Sequence, residues 1–257
     1  MGGPLQANSN RWRWAAASRT GTSHIRAGTR RQDAYAVSKL RPDGLCAIVS
    51  DGAGSASHGG YGAWLVCRHL TQRFRIWFDH SNNLPSEEDV MVWIDDLRDL
   101  LANAASKRGI TRRQFAATLA AIIITPEQML TLQVGDSAIV GRRNGLWESI
   151  CWPENGEYAS TTYFITDDPE VRLRTARLPL DYDAFALFSD GIEDIALERL
   201  ELRPHTRFFD PMIKPIDLAS KYGRLGPLSD ALGRYLDEPS ICDRTDDDKT
   251  LILISGV

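Results

Sequence analysis

Twice in this chain a short apolar run stops abruptly at Ser-Asp-Gly. Cys46-Ala47-Ile48-Val49 ends in Ser50-Asp51-Gly52, and Ala184-Phe185-Ala186-Leu187-Phe188 ends in Ser189-Asp190-Gly191. An apolar run of that length, bounded by a Gly-permitted turn, reads as a buried strand that delivers one carboxylate to its end. Two strands ending the same way suggest two carboxylates meeting at one edge of a core. That meeting place is the strongest constraint the chain imposes on its own fold.

The rest of the chain supplies partners in order. Arg11 to Ser18 reads as a first strand, followed by an Arg-rich polar loop from Gly21 to Asp33. Ala34–Leu40, the turn Arg41-Pro42-Asp43-Gly44 and Leu45–Ser50 read as a hairpin. In an antiparallel pair the start of one strand lies beside the end of its neighbour, so Asp33 and Asp51 become spatial neighbours. Ala63, Val66, Cys67, Leu70, Phe74, Trp77 and Phe78 recur at helical spacing. A second helix begins at Ser86, with Asp89 completing a capping box. Neither helix carries a nucleophile or metal-ligand pattern, so both read as cover for a sheet.

Phe115–Thr125 and Met129–Val140 read as a second hairpin that carries Gly135-Asp136 in mid-strand. Residues 150–183 are polar and turn-rich and read as a flap. A helix is expected near Ser229–Leu236, and the acidic run Asp246-Asp247-Asp248 precedes a last strand, Thr250–Ile254. There is no internal repeat and no low-complexity linker. The expected organisation is a disordered segment at 1–10 and a single domain over 11–257.

Composition narrows the function. A net charge of −4 gives no support for a nucleic-acid-binding surface. No apolar run approaches the roughly 20 residues that span a bilayer, and no apolar signal core opens the chain. The four cysteines are scattered without metal or redox spacing. A cytoplasmic location is therefore expected.

Asp33, Asp51, Asp136, Asp190, Asp194 and the run Asp246–Asp248 all lie beside strand ends or turns. Most Asp-Gly pairs are plain turn residues. The repeated strand-then-Asp-Gly pattern is what points further. Carboxylates without His or Cys suit hard divalent ions. Two such ions activate a water and clamp a phosphoryl group, and that chemistry needs no protein nucleophile.

At this point the chain resembles the metal-dependent protein phosphatases of the protein phosphatase 2C type. The matching pieces are Arg31-Gln32-Asp33-Ala34, Ser50-Asp51-Gly52-Ala53-Gly54, Ala117-Thr118-Leu119, Val134-Gly135-Asp136-Ser137, Ser189-Asp190-Gly191-Ile192-Glu193-Asp194 and Asp247-Asp248-Lys249-Thr250. They occur in the family's order over nearly the whole chain. Gly21 to His24, Gly156-Glu157-Tyr158 and Thr161-Thr162 look like a bacterial subgroup.

The resemblance implies an α+β, four-layer αββα sandwich: two antiparallel β-sheets flanked by helix pairs, with a metal cleft at one edge. It implies two Mn2+ or Mg2+ ions and a third, weaker one. Asp51, Asp190 and Asp247 would hold the first ion, and Asp51, the Gly52 carbonyl and Asp33 the second. Asp136 and Asp194 would hold the third. The implied reaction is hydrolysis of phosphoserine or phosphothreonine by a metal-bridged hydroxide, on proteins phosphorylated by a cognate kinase. A monomer acting without nucleic acid or membrane is expected.

Three departures from the family pattern stand out. Ala53 takes the place of a His that serves animal members as general acid, leaving His58 or a water. Gly28 stands where the family has its phosphate-binding Arg, so Arg26, Arg30 and Arg31 are the candidates. Gln32 replaces a common Glu. Two other readings accompany the enzyme: a pseudophosphatase that binds phosphoproteins, and a hydrolase of small phosphate esters.

Overall fold

The computed structural model describes residues 11–154 and 162–257. The expected disorder of 1–10 and the motif residues Gly156, Glu157, Tyr158 and Thr161 lie outside the described residues. In chain order the strands are β1 (Arg13–Arg19), β2 (Ala34–Leu40), β3 (Gly44–Ser50), β4 (Leu119–Ile124), β5 (Gln128–Val134), β6 (Ala138–Arg143) and β7 (Leu146–Cys151). They continue as β8 (Arg174–Pro179), β9 (Ala184–Phe188), β10 (Leu197–Glu198), β11 (Arg203–Pro204), β12 (Gly223–Arg224) and β13 (Lys249–Ser255). The helices are α1 (Thr22–Ala27), α2 (Gly59–His80), α3 (Glu87–Ser106), α4 (Glu193–Ala196), α5 (Thr206–Asp217), α6 (Gly226–Leu236) and α7 (Pro239–Cys242).

One sheet runs β2-β3-β4-β5-β8, the other β12-β1-β13-β9-β6-β7. Alternation along β3 explains the layering. Leu45, Ala47 and Val49 point to the other sheet, where they meet Trp14, Ala16, Phe185, Leu187, Ile252 and Ile254. Cys46 and Ile48 point the opposite way, onto Ala63, Val66, Leu70 and Phe74 of α2 and Leu97 of α3. On the second sheet's outer face Leu251 and Leu253 pack on Phe209 and Ile213 of α5 and Leu232 of α6. The result is the expected αββα sandwich with three apolar layers. One pairing departs from the antiparallel expectation: β12 adds to β1 in parallel through Arg13↔Gly223 and Trp14↔Arg224.

Local expectations met the structure unevenly. The β2–β3 hairpin pairs Ala34 with Ser50, which leaves Asp33 and Asp51 flanking that pair. The capping box forms, with Asp89 N donating to Ser86 Oγ (3.1 Å) and Ser86 N to Asp89 Oδ2 (2.9 Å). Gly135-Asp136, however, is not mid-strand. Gly135 adopts φ +89°, and there the chain leaves β5 of one sheet for β6 of the other. The stretch expected as one flap also divides. Arg174–Pro179 is β8, an edge strand on β5. Ahead of it the loop is tied to the α3 side, where Asp168 pairs with Arg98 (3.2 Å) and with Arg112.

At the far end of the second sheet Arg142 is the hub of an ion-pair network. Its Nε bonds Asp183 (2.7 Å), and Nη1 and Nη2 bond both oxygens of Asp217 (2.8 and 3.2 Å). Ser255 Oγ donates to Asp217 as well (2.7 Å). No described helix is long and apolar enough to cross a membrane.

Candidate active site

Asp51 leaves the end of β3 with its backbone held on both sides. Its N–H donates to Thr118 Oγ1 (2.9 Å), and its carbonyl accepts from Thr118 N (2.8 Å). Gly52 then forms a bridge with Ala117. A Cβ on Gly52 would lie 2.2 Å from the Gly59 carbonyl carbon, so only glycine lets the turn meet the start of α2.

Asp190 leaves β9 in the same manner. Gly191 sits against the acidic turn before β13, where a Cβ would be 1.9 Å from the Asp248 carbonyl oxygen. Strand pairing brings the two turns together, since β13 lies between β1 and β9 and Leu251 is opposite Phe188. Asp33 is buried just before β2. Its Oδ2 accepts from Ser189 Oγ (2.7 Å) and Thr250 Oγ1 (2.6 Å), both from the second sheet. One carboxylate from the first sheet is thereby stitched to the second.

Asp51, Asp33 and Asp190 form one group. The Asp51 carboxyl is within hydrogen-bonding reach of both Asp33 and Asp190. Burial pushes the Asp33 carboxyl up to about 6, against hydrogen bonds from Thr250, Asp51 and Ser189 that lower it. Burial also raises Asp51 well above the usual carboxylate range, with the charges of Asp33, Asp190 and Asp247 adding to it. Asp190 is raised for the same first reason, then by Asp136 and Asp247. Asp136, in the β5–β6 crossing, is raised by burial, while its Oδ2 accepts from Thr162 Oγ1 (2.6 Å). Asp247 is exposed at the rim.

Whether these residues suit divalent cations is decided by their spare oxygens. Asp33 Oδ1, Asp136 Oδ1 and Asp190 Oδ1 are buried and have no hydrogen-bond partner among the described residues. Nor does any described Arg, Lys or His form an ion pair with Asp33, Asp51, Asp136 or Asp190. No three described His, Cys, Asp or Glu side chains stand in ready coordinating geometry. Carboxyls packed this closely share either protons or a cation. An all-oxygen donor set with orphaned lone pairs suits Mg2+ or Mn2+.

Other expected residues are placed differently. The Asp194 side chain is largely exposed and pairs with Arg199 (3.0 Å). The neighbouring Glu193 is the inward one, and burial raises its carboxyl. Arg26 is tied to Asp246 (3.0 Å). Arg31 spends Nε on the Asp33 carbonyl (3.1 Å) and Nη1 on the Ser18 carbonyl (3.0 Å). Arg30 is exposed, lines the cleft beside the 54–58 loop, and has no side-chain partner among the described residues. His58 stacks on Phe115 with ring centroids 5.1 Å apart and bonds Ser57 Oγ (2.9 Å).

Sequence reasoning missed Asp248. It is buried and accepts from the backbone N–H groups of Gly21 (2.7 Å), Gln32 and Asp33 (3.4 Å), and it bonds His24 Nδ1 (2.9 Å). It holds the loop that carries Asp33 and the three arginines. An acidic run reads as a solvated turn, and nothing in Asp246-Asp247-Asp248 says that its last member turns inward.

Residues 20–237 match the family described as Protein phosphatase 2C. The chain belongs to that family. It is 34% identical over 251 residues to Serine/threonine-protein phosphatase 3 of Escherichia coli (strain K12), spanning 94% of this chain and 97% of the relative. The fold is also that of the serine/threonine phosphatase Stp1 from Staphylococcus aureus (TM-score 0.64, 18% identity, 94% of each chain). It further matches the catalytic domain of the serine threonine protein phosphatase PstP in complex with 2 manganese ions (TM-score 0.65, 16% identity, 95% of this chain and 97% of that one).

Proposed function

We propose that the carboxylate group at the sandwich edge is the centre at which this serine/threonine phosphatase, dependent on Mn2+ or Mg2+, removes phosphate from phosphoserine and phosphothreonine. The observation that carries the reading is the set of buried, unpaired Asp oxygens gathered from both sheets. When bound, divalent ions supply the Lewis acidity that activates water and offsets phosphoryl charge. Asp51, Asp190 and Asp247 would hold one ion; Asp51, the Gly52 carbonyl and Asp33 a second. Asp136, whose charge adds to the raised Asp190 carboxyl, would serve the third, weaker ion. Asp194, exposed and paired with Arg199, would have to leave that pair to join it.

The chain's own residues do the positioning. Ser189 and Thr250 aim Asp33 by holding one of its oxygens and leaving the other free. Asp248 fixes the loop from which Arg30 and Arg31 reach the cleft, and Arg30 is the guanidinium free to grip substrate phosphate bidentately. His58, committed to Phe115 and Ser57, gives no support to a protein acid at that place, so water protonates the leaving group. The partner is a phosphoprotein made by a cognate kinase, met in the cytoplasm by a monomer.

The test is phosphate release from a phosphothreonine peptide with and without Mn2+. Wild type should turn over only with the metal, and Asp190→Ala should lose at least about a hundredfold in kcat/KM. Absence of Mn2+-dependent turnover in wild type overturns the reading.

A further inference from the structure

A cleft of about 770 Å3 opens where two of the catalytic loops continue past their carboxylates. One wall is Arg30, Arg31 and Gln32, directly before Asp33. The other is the segment 54–58, directly after the Asp51 turn. That segment is pinned from below: Ser57 N donates to Gln114 Oε1 (3.0 Å) and His58 N to the Gln114 carbonyl (2.8 Å). The cleft therefore borders the site through two loops whose next residues are Asp33 and, on the other side, the Asp51 turn.

Its floor is aromatic. Tyr61 and Trp64 lie one turn apart on α2, 40% and 45% exposed, with ring centroids 5.4 Å apart. Phe115 meets the edge of Tyr61 at 5.8 Å. The guanidinium of Arg108 lies 5.2 Å from the Tyr61 ring and that of Arg68 5.4 Å from the Trp64 ring. Burial in the core does not explain two large rings left this open, side by side, at the mouth of a reaction site. Aromatic rings framed by arginines are the composition of surfaces that carry binding energy.

We propose that Tyr61 and Trp64 form a specificity shelf that takes an aromatic or long aliphatic side chain of the phosphoprotein substrate, a few residues from the phosphorylated position. The occupant follows from charge and continuity. Arg30 and Arg31 stand on the cleft wall, and Arg68 and Arg108 back the two rings, so the surroundings are cationic, which suits a segment bearing a phosphate. The walls are the segments that run directly into Asp33 and out of the Asp51 turn, so the two rings lie along one way a bound segment can leave the Asp cluster. The proposal rests on the phosphatase reading and adds to it a sequence preference located on α2.

The experiment uses phosphothreonine peptides that differ only in having Phe or Ala at one position within four residues of the phosphothreonine. At the best position, wild type with Mn2+ should favour Phe by about five- to tenfold in kcat/KM, through KM. Trp64→Ala and Tyr61→Ala should each lower that preference, and the double variant should bring it to about one. Equal use of Phe and Ala peptides by wild type, or a preference that survives the double variant, overturns the shelf. Peptide affinity is measured in parallel on Asp190→Ala, with and without the double change. The Phe preference in Kd must appear there and vanish with the two rings. If no peptide is turned over, the phosphatase reading fails while this binding comparison still decides the shelf.

Discussion

Two acidic regions lie at different places in the same sandwich, one closed and one half-open to solvent, and they are built on opposite terms. In the Arg142 network the carboxylates of Asp183 and Asp217 are matched by one guanidinium, with the second oxygen of Asp217 also taken by Ser255. Burial works to lower the Arg142 pKa, but hydrogen bonds and charge from Asp217 and Asp183 outweigh it, so the net direction is upward. In the Asp33–Asp51–Asp190 group no guanidinium arrives, burial pushes every carboxyl up, and oxygens are left bare. A satisfied acid stabilises a fold; an unsatisfied one awaits a cation. The contrast in partners, together with one in burial, separates structure from function.

The sharpest way to break that comparison is to exchange one acid from each region. Asp51→Asn should cost at least about a hundredfold in Mn2+-dependent turnover. It should leave the metal-free melting temperature unchanged or higher, because a repelled charge has gone. Asp217→Ala should do the reverse. It leaves Arg142 with Asp183 as its one acidic partner among the described residues and costs about 2–3 kcal/mol, a fall of roughly 5–10 °C in Tm, with turnover retained. If Asp51→Asn melts lower and stays active, the two regions have been assigned the wrong way round.

A smaller effect sharpens the comparison through pH. A carboxyl whose pKa is higher folded than unfolded binds its proton more tightly in the native state. Its stabilising contribution is present below the unfolded value near 4 and is lost as pH rises through the folded value, about 6 for Asp33. Metal-free protein should therefore melt several degrees lower at pH 7.5 than at pH 5. Mn2+ should recover more at pH 7.5 than at pH 5. A Tm independent of pH across that window, read by calorimetry in chelator, would show that the cluster is not held under charge stress.

Much of the sandwich was legible because its signals are local. The β2–β3 hairpin has a turn sequence and alternating faces, and α3 announces itself by Ser86 and Asp89. Gly135-Asp136 was misread because an apolar run continues on both sides of it, and only a crossing between sheets explains the break. Helix α1 was missed because none of its six residues is buried, so no apolar periodicity marks it. The site was legible as a list of aspartates but not as an arrangement. Asp194 and Glu193 are neighbours in sequence, and helix phase alone decided which one turned inward. Asp247 and Asp248 divide the same way, one at the rim and one collecting backbone amides.

Gly191 carries an evolutionary consequence. A methyl group there would strike the Asp248 carbonyl and force apart the turns bearing Asp190 and Asp247. A lineage drifting from catalysis toward phosphoprotein binding has no need to discard its acidic signature. A glycine-to-alanine exchange at this position should displace the Asp190 and Asp247 turns while leaving every aspartate in the text. Glycines 52 and 191, rather than the aspartates alone, therefore decide whether the acidic turns can meet.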